Sequence, residues 1–281
     1  MDIITSVSDM QRRCLNERQA GKSVAFVPTM GFLHQGHLSL LEEGRRRGDL
    51  LVLSIFVNPT QFGQGEDFEQ YPRNLEQDRA LAEQAAVDIL FAPDAQQMYP
   101  PGYASFVAVE RLSEPLCGAS RPGHFRGVCT VVNKLFNIVQ PRVALFGCKD
   151  FQQLAVIRRM VLDLNLPVEV VGMPIVRESD GLALSSRNVY LTPEQRRQGL
   201  VLSAVLRQTA ERARGGERDA RTLLAAARRR IEALSEARID YIQICHQSTL
   251  EEVESVDEDA VMLLAVYFGQ TRLIDNSTLL R

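Results

Sequence analysis

Through the first two thirds of the chain, short apolar runs alternate with stretches whose apolar positions recur at helical spacing. Residues 23–27, 50–57, 88–91, 143–146 and 168–176 read as strands, and residues 38–47, 75–86, 128–139 and 152–165 as helices. This βαβα order predicts an α/β fold with a parallel sheet covered on both faces. The texture changes after Arg187: Thr192-Pro193-Glu194 is a helix start, and residues 198–213 and 218–234 are Ala-, Arg- and Leu-rich helices separated by Gly215-Gly216. Two strands, 239–245 and 261–267, then close a small α+β domain of about 100 residues. The polar, turn-prone stretch after Val176 divides the chain into domains 1–176 and 177–281.

The join between the first strong strand and the helix after it holds the most chemistry. Residues 27–40 read Val-Pro-Thr-Met-Gly-Phe-Leu-His-Gln-Gly-His-Leu-Ser-Leu, with Gly31 and Gly36 in a tight turn and His34 and His37 at the helix start. Free backbone N–H groups and the positive helix end are expected to converge there, which favours a bound anion. Ligands of parallel sheets sit beyond the carboxyl ends of the strands, where this turn falls. A Walker-type loop is excluded because His37 and Leu38 stand where it needs Lys and Ser or Thr. Zinc is excluded because the histidine pair lacks further ligands and the five cysteines form no Cys-x-x-Cys. The bland alternative is a pair of idle histidines on a helix surface.

Three further loops follow strands or the domain boundary. In residues 56–63, Phe-Val-Asn-Pro-Thr-Gln-Phe-Gly, Asn58 and Gln61 offer donors and acceptors to a hydroxyl and a carboxylate, or simply cap the loop. In residues 146–153, Lys149 supplies a point cation, Asp150 an acceptor for ribose hydroxyls, and Gly147 room for close approach. In residues 184–188, Ser185, Ser186 and Arg187 can close over phosphates when the second domain moves. Gathered at one sheet edge, these groups match a nucleoside triphosphate better than a protein surface.

Composition narrows the classes. The net charge of −3 and pI near 5.9 argue against a nucleic-acid or membrane-surface binder. No run approaches the 18 or so apolar residues of a membrane span, and the N-terminus lacks the basic and apolar regions of a signal peptide. Five cysteines without paired spacing fit a reducing compartment, so the cytoplasm is expected.

The motifs, in order, resemble the pantothenate synthetase (pantoate–β-alanine ligase) family from end to end. Residues 28–37 are similar to its version of the His-x-Gly-His nucleotidyltransferase signature, and residues 56–63 to its Phe-Val-Asn-Pro-x-Gln-Phe loop. Tyr71-Pro72-Arg73 and residues 121–128, 147–153 and 180–188 resemble further family blocks. The resemblance implies a Rossmann-like nucleotidyltransferase domain, a small C-terminal lid domain and a homodimer. It implies that Met30, Gly31, Phe32, Leu33, His34, Gln35, Gly36, His37, Gly147, Cys148, Lys149, Asp150, Val176, Leu184, Ser185, Ser186 and Arg187 line an ATP site. Gln61 would then bind pantoate and β-alanine, and Gln153 pantoate, with ATP accompanied by Mg²⁺. Cys148 stands where the family usually has Glu, and Leu184 where it has Met. The implied reaction passes through a pantoyl adenylate, with His34, His37, Lys149 and Arg187 offsetting phosphate charge and residues 63–71 and the C-terminal domain as lids. His37 is expected to gain protonated population beside polyphosphate. The alternative is another nucleotidyltransferase of the His-x-Gly-His type, against which the 58–61 loop and the 121–128 block speak.

Overall fold

The computed structural model describes residues 1–280. Six parallel strands form the main sheet: β1 (Asp2–Ile4), β2 (Val24–Thr29), β3 (Leu50–Ile55), β4 (Ile89–Phe91), β5 (Val143–Gly147) and β6 (Glu169–Met173). Their spatial order is β1-β4-β3-β2-β5-β6. The chain therefore works outward from β2 in one direction, then returns to place β5 on the other flank of β2, with Ala25 opposite Val143 and Phe26 opposite Ala144. That reversal opens a crevice beyond the carboxyl ends of β2 and β5.

Both faces of the sheet are covered, which is why its strands read as unbroken apolar runs. Ala25, Val27, Leu51 and Leu53 pack beneath α2 (Gln35–Arg47) and α3 (Leu75–Gln84) through Leu40, Leu41 and Ala82. Val24, Phe26, Val52 and Phe146 face the other way, toward α1 (Val7–Gln19), α6 (His124–Val139) and α7 (Phe151–Asp163). Two one-turn helices, α4 (Ala95–Met98) and α5 (Cys117–Ser120), punctuate the long connection into α6. α1 has no strong pattern in the sequence, because Val7, Met10 and Cys14 are the only core-facing residues in a polar stretch.

Beyond Leu182 a second layer forms. β7 (Ala237–His246), β8 (Ala260–Phe268) and β9 (Thr271–Thr278) make an antiparallel sheet in sequential order. α9 (Val201–Arg214) and α10 (Ala220–Glu232) pack on one face through Leu202, Val205, Leu206, Leu223 and Ile231. The opposite face joins the first core through Cys245, Val261 and Leu263. Two expectations are corrected here. Three strands close the chain instead of two, since β9 fills buried positions with Thr271, Asp275 and Asn276 and so hides its alternation. The helix expected over 198–213 is interrupted: α8 (Pro193–Gly199), capped by Thr192 and Gln195, ends where Gly199 meets Leu273, and α9 starts after Leu200.

Gly127 allows α6 to touch the Pro59–Gln61 turn, since a Cβ there would lie 2.3 Å from the Thr60 carbonyl oxygen and 2.7 Å from the Gln61 Cα. Gly127→Ala should cost about 1–3 kcal/mol by overpacking. Urea unfolding measures this, and an unchanged midpoint would show that the helix and the turn separate freely.

Candidate active site

The crevice at the switch point is lined by Met30, His34, Gly36 and His37 from β2 and α2, and by Gly147, Lys149 and Asp150 from the end of β5. Asn58 and Gln61 follow β3, Gln153 lies on α7, and Val176, Leu184, Ser185, Ser186 and Arg187 close the far wall. Groups from segments far apart in the chain thus share one cavity. Five of the predicted residues lie behind its wall or outside it. Gly31 and Leu33 are buried in the turn, Phe32 holds φ 52°, Gln35 is exposed, and Cys148 packs its thiol against the core near Gly172.

The turn before α2 is held from below by Asp78 of α3. Its carboxylate, 2 % exposed, accepts the N–H groups of Phe32 at 2.8 Å and Leu33 at 2.6 Å. Burial pushes the Asp78 carboxyl up in pKa, and the two N–H bonds pull the other way. Gly31 has φ 84°, and a Cβ there would sit 2.8 Å from Asp78 Oδ2. The Gly31 N–H goes to Thr29 Oγ1. Sequence reasoning missed Asp78, because it lies in an ordinary amphipathic helix far along the chain.

The two histidines bond to the helix start. Gly36 N–H donates to His34 Nδ1 at 3.1 Å, and His34 N–H to His37 Nδ1 at 3.3 Å, forming a reciprocal cap. With both Nδ1 atoms accepting, each neutral ring carries its proton on Nε2. The expected pool of free N–H groups in this turn is therefore corrected: five of them, from Gly31 to Gly36, already bond within the protein. The protonation of His37 expected beside polyphosphate would have to overcome its surroundings. Burial foremost, then His34 and Lys149, holds it down at about 3, and burial with Lys149 holds His34 at about 4. Their rings lie 4.1 Å apart, so two charges there would repel strongly.

Lys149 is a lightly engaged cation on the wall, 3.9 Å from Asp150. Its turn is pinned by Asn276 of β9, whose amide donates to the carbonyls of Cys148 at 2.9 Å and Lys149 at 3.0 Å. Neighbouring Asp275 holds Arg177 by two bonds of 2.6 and 2.8 Å. Ser185 caps the Ser186–Tyr190 turn through Arg187 N–H, and the Ser186 hydroxyl points to the Phe32 carbonyl.

Asn58 is 1 % exposed and its amide is fully used. Its Oδ1 accepts from Tyr99 and Thr60, which turns its Nδ2 toward Gln61 Oε1 at 3.1 Å and the Gly127 carbonyl at 3.2 Å. Gln61 is left with its NH₂ group for the cleft, opposed only by a weak acceptor, Met30 sulfur at 3.1 Å.

The 63–71 segment borders an adjoining cavity that shares Lys149, Asp150, Gln153, Ser185 and Arg187 with the crevice, and Tyr71 reaches the crevice itself. Glu66 grips Arg121 at 2.7 and 2.8 Å, Asp67 grips Arg187 at 2.8 and 2.9 Å, and Tyr190 donates to the Gln70 carbonyl. Burial opposes the Glu66 charge, yet Arg121 keeps its carboxyl below the usual range. No cluster of three or more His, Cys, Asp or Glu residues suited to a metal exists among the described residues, and no helix there is long and apolar enough to cross a membrane.

The profile of the pantoate-beta-alanine ligase family matches residues 2–278. Pantothenate synthetase of Syntrophotalea carbinolica is 62% identical over 280 residues, covering 100% of this chain and 99% of that protein. The Geotalea uraniireducens enzyme is 59% identical over 279 residues, covering 99% of each. The crystal structure of pantothenate synthetase from Thermus thermophilus superposes with a TM-score of 0.95 at 49% identity, covering 100% of both chains. Pantoate-beta-alanine ligase from Francisella tularensis, complexed with beta-gamma ATP and beta-alanine, superposes at 0.82 with 33% identity, covering 99% of this chain and 97% of that one. The chain belongs to the pantoate–β-alanine ligase family.

Proposed function

We propose that this chain is a C–N ligase that condenses (R)-pantoate with β-alanine at the expense of ATP, releasing AMP and pyrophosphate. The observation that carries the reading is one crevice holding His34, His37, Lys149 and Arg187 beside the amides of Gln61 and Gln153. That combination suits a triphosphate next to a small hydroxy acid. Three substrates and a mixed anhydride fit a cleft with charged and neutral polar walls better than a transferase without an amide product would.

In the first step a pantoate carboxylate oxygen attacks the α-phosphorus and pyrophosphate leaves. His34 and His37 act as neutral donors through Nε2–H, and Lys149 and Arg187 supply fixed positive charge. The reciprocal cap holds His34 and His37, and Asp67 holds Arg187, before substrate arrives, so these groups need little reorganisation. In the second step the free amine of β-alanine attacks the acyl carbon, AMP departs, and the new amide nitrogen loses its proton. Gln61 offers N–H donors to both acids from its fixed amide, and Gln153 offers a second amide to pantoate. Mg²⁺ fits as an ion carried in on the triphosphate, with Asp150 the sole carboxylate on the cleft wall. When bound it would neutralise phosphate charge.

We further place residues 1–176 and 177–281 as two domains, the second acting with the 63–71 segment as a lid against hydrolysis of the adenylate. A cytoplasmic homodimer belongs to the same proposal.

Pyrophosphate release from ATP and Mg²⁺ with pantoate, then pantothenate formation on adding β-alanine, tests the activity; release with other acids and none with pantoate would overturn it. His37→Ala should slow adenylate formation by roughly 10²–10³, the scale of losing one preorganised donor, as read by single-turnover quench. Asp67→Asn should raise pyrophosphate release several-fold relative to pantothenate, because the lid loses its hold on Arg187; preserved equal stoichiometry would remove Asp67 from the lid. Unfolded histidines take protons near pH 6.5, whereas His34 and His37 resist until about 4 and 3. Between those values the unfolded chain binds more protons, so stability falls as pH drops from 6.5 toward 4. Urea midpoints at pH 7 and 5 should show this loss, smaller in His37→Asn.

A further inference from the structure

His124 opens α6 just after Gly123, whose φ of 84° turns the chain into the helix. Its ring is buried, and both nitrogens are engaged: Nδ1 lies 2.8 Å from the Gln61 carbonyl oxygen and Nε2 3.2 Å from Arg121 Nη1. A guanidinium has donors and no acceptor, so Nε2 must accept; a carbonyl only accepts, so Nδ1 carries the proton. The opposite tautomer would break both contacts. A doubly protonated ring would set an N–H against the guanidinium, and burial followed by Arg121 lowers the His124 pKa to about 4. Arg121 is locked by Glu66 and also reaches the Gln61 carbonyl at 3.3 Å. Two donors therefore converge on one backbone oxygen. On the same residue, Asn58 fixes the side-chain amide from the other end.

We propose that His124 is a positioning residue for Gln61, its Nδ1–H holding the Gln61 carbonyl so that the Gln61 NH₂ group is aimed into the cleft. This rests on the reading above that Gln61 meets pantoate and β-alanine. The hydrogen bonds of His124 go to Gln61 and Arg121 and none to the histidine cap or the Lys149 turn, although its ring borders a cavity that Lys149, Asp150 and Arg187 also line. Its effect should therefore fall on the acid substrates and spare ATP.

Three variants separate this role from simple support of the helix start. Asn places an N–H near the Nδ1 position, Gln places an acceptor near the Nε2 position, and Phe keeps ring shape without either. His124→Phe and His124→Gln should raise KM for pantoate by about tenfold, the value of one well-placed hydrogen bond, with KM for ATP within about twofold. His124→Asn should recover most of the loss. Equal changes in both KM values, or recovery by Gln in place of Asn, would overturn the proposal. Long-range proton–nitrogen spectra of histidine-labelled protein should show His124 as the Nδ1–H tautomer, and the Nε2–H tautomer would overturn it. The Gln61 side-chain NH₂ resonances should move in the Phe and Gln variants and stay in place in Asn. These spectra need no substrate, so they judge the positioning role even if the wild-type chain makes no pantothenate, a result that would count against the substrate reading alone.

Discussion

The pairing of β5 alongside β2 is the constraint on which the site depends. Two residues on each strand make the contact, Ala25 and Phe26 with Val143 and Ala144, yet it forces the loops after the two strands to diverge to opposite sides. The divergence leaves the crevice, and the loops that leave it carry the histidine cap and the Lys149 turn. Every other group arrives by packing onto that frame. Gly127 brings α6 against the Gln61 turn, and Asn276 brings the second sheet against Lys149.

Most polar groups of the site are already hydrogen-bonded within the protein. Asp78 takes two backbone N–H groups, the histidines take two more, and Asn58 spends its whole amide on neighbours. Buried polar groups left unpaired would be costly, so the fold uses them to fix geometry. What remains free is a short set of side-chain donors facing the cleft. In the proposed reaction these donors stabilise developing charge without first having to rearrange.

Burial also pushes the two histidines of the site toward their neutral forms. A histidine near a polyphosphate invites a protonated reading, but desolvation and the nearby Lys149 favour the neutral ring in both His34 and His37. Positive charge is carried instead by Lys149 and Arg187. Acidic residues of the 63–71 segment pair with Arg121 and Arg187, so the segment that would shield an adenylate is held by the charges that surround it.

Local order was legible in the sequence because it is written in local patterns. The apolar runs of β2, β3 and β5, the helix start at Thr192 and the histidine turn all depend on neighbours within a few residues, and the motifs carried the family and most of the cleft wall. Strand order was not legible, since any parallel arrangement buries such runs equally well. β9 was hidden because its buried positions include Asp275 and Asn276, polar groups that are comfortable inside only when Arg177 and the Cys148 and Lys149 carbonyls meet them. Asp78 under the histidine turn, the orientation of the Gln61 amide and the tautomer of His124 belong to the same class. Which chemistry the chain carries, and in which loops, follows from the order of its residues. Tertiary structure alone decided which of those groups are already bonded, which stay neutral and which face the cleft, because hydrogen-bond partners and desolvation come from residues far apart in the chain.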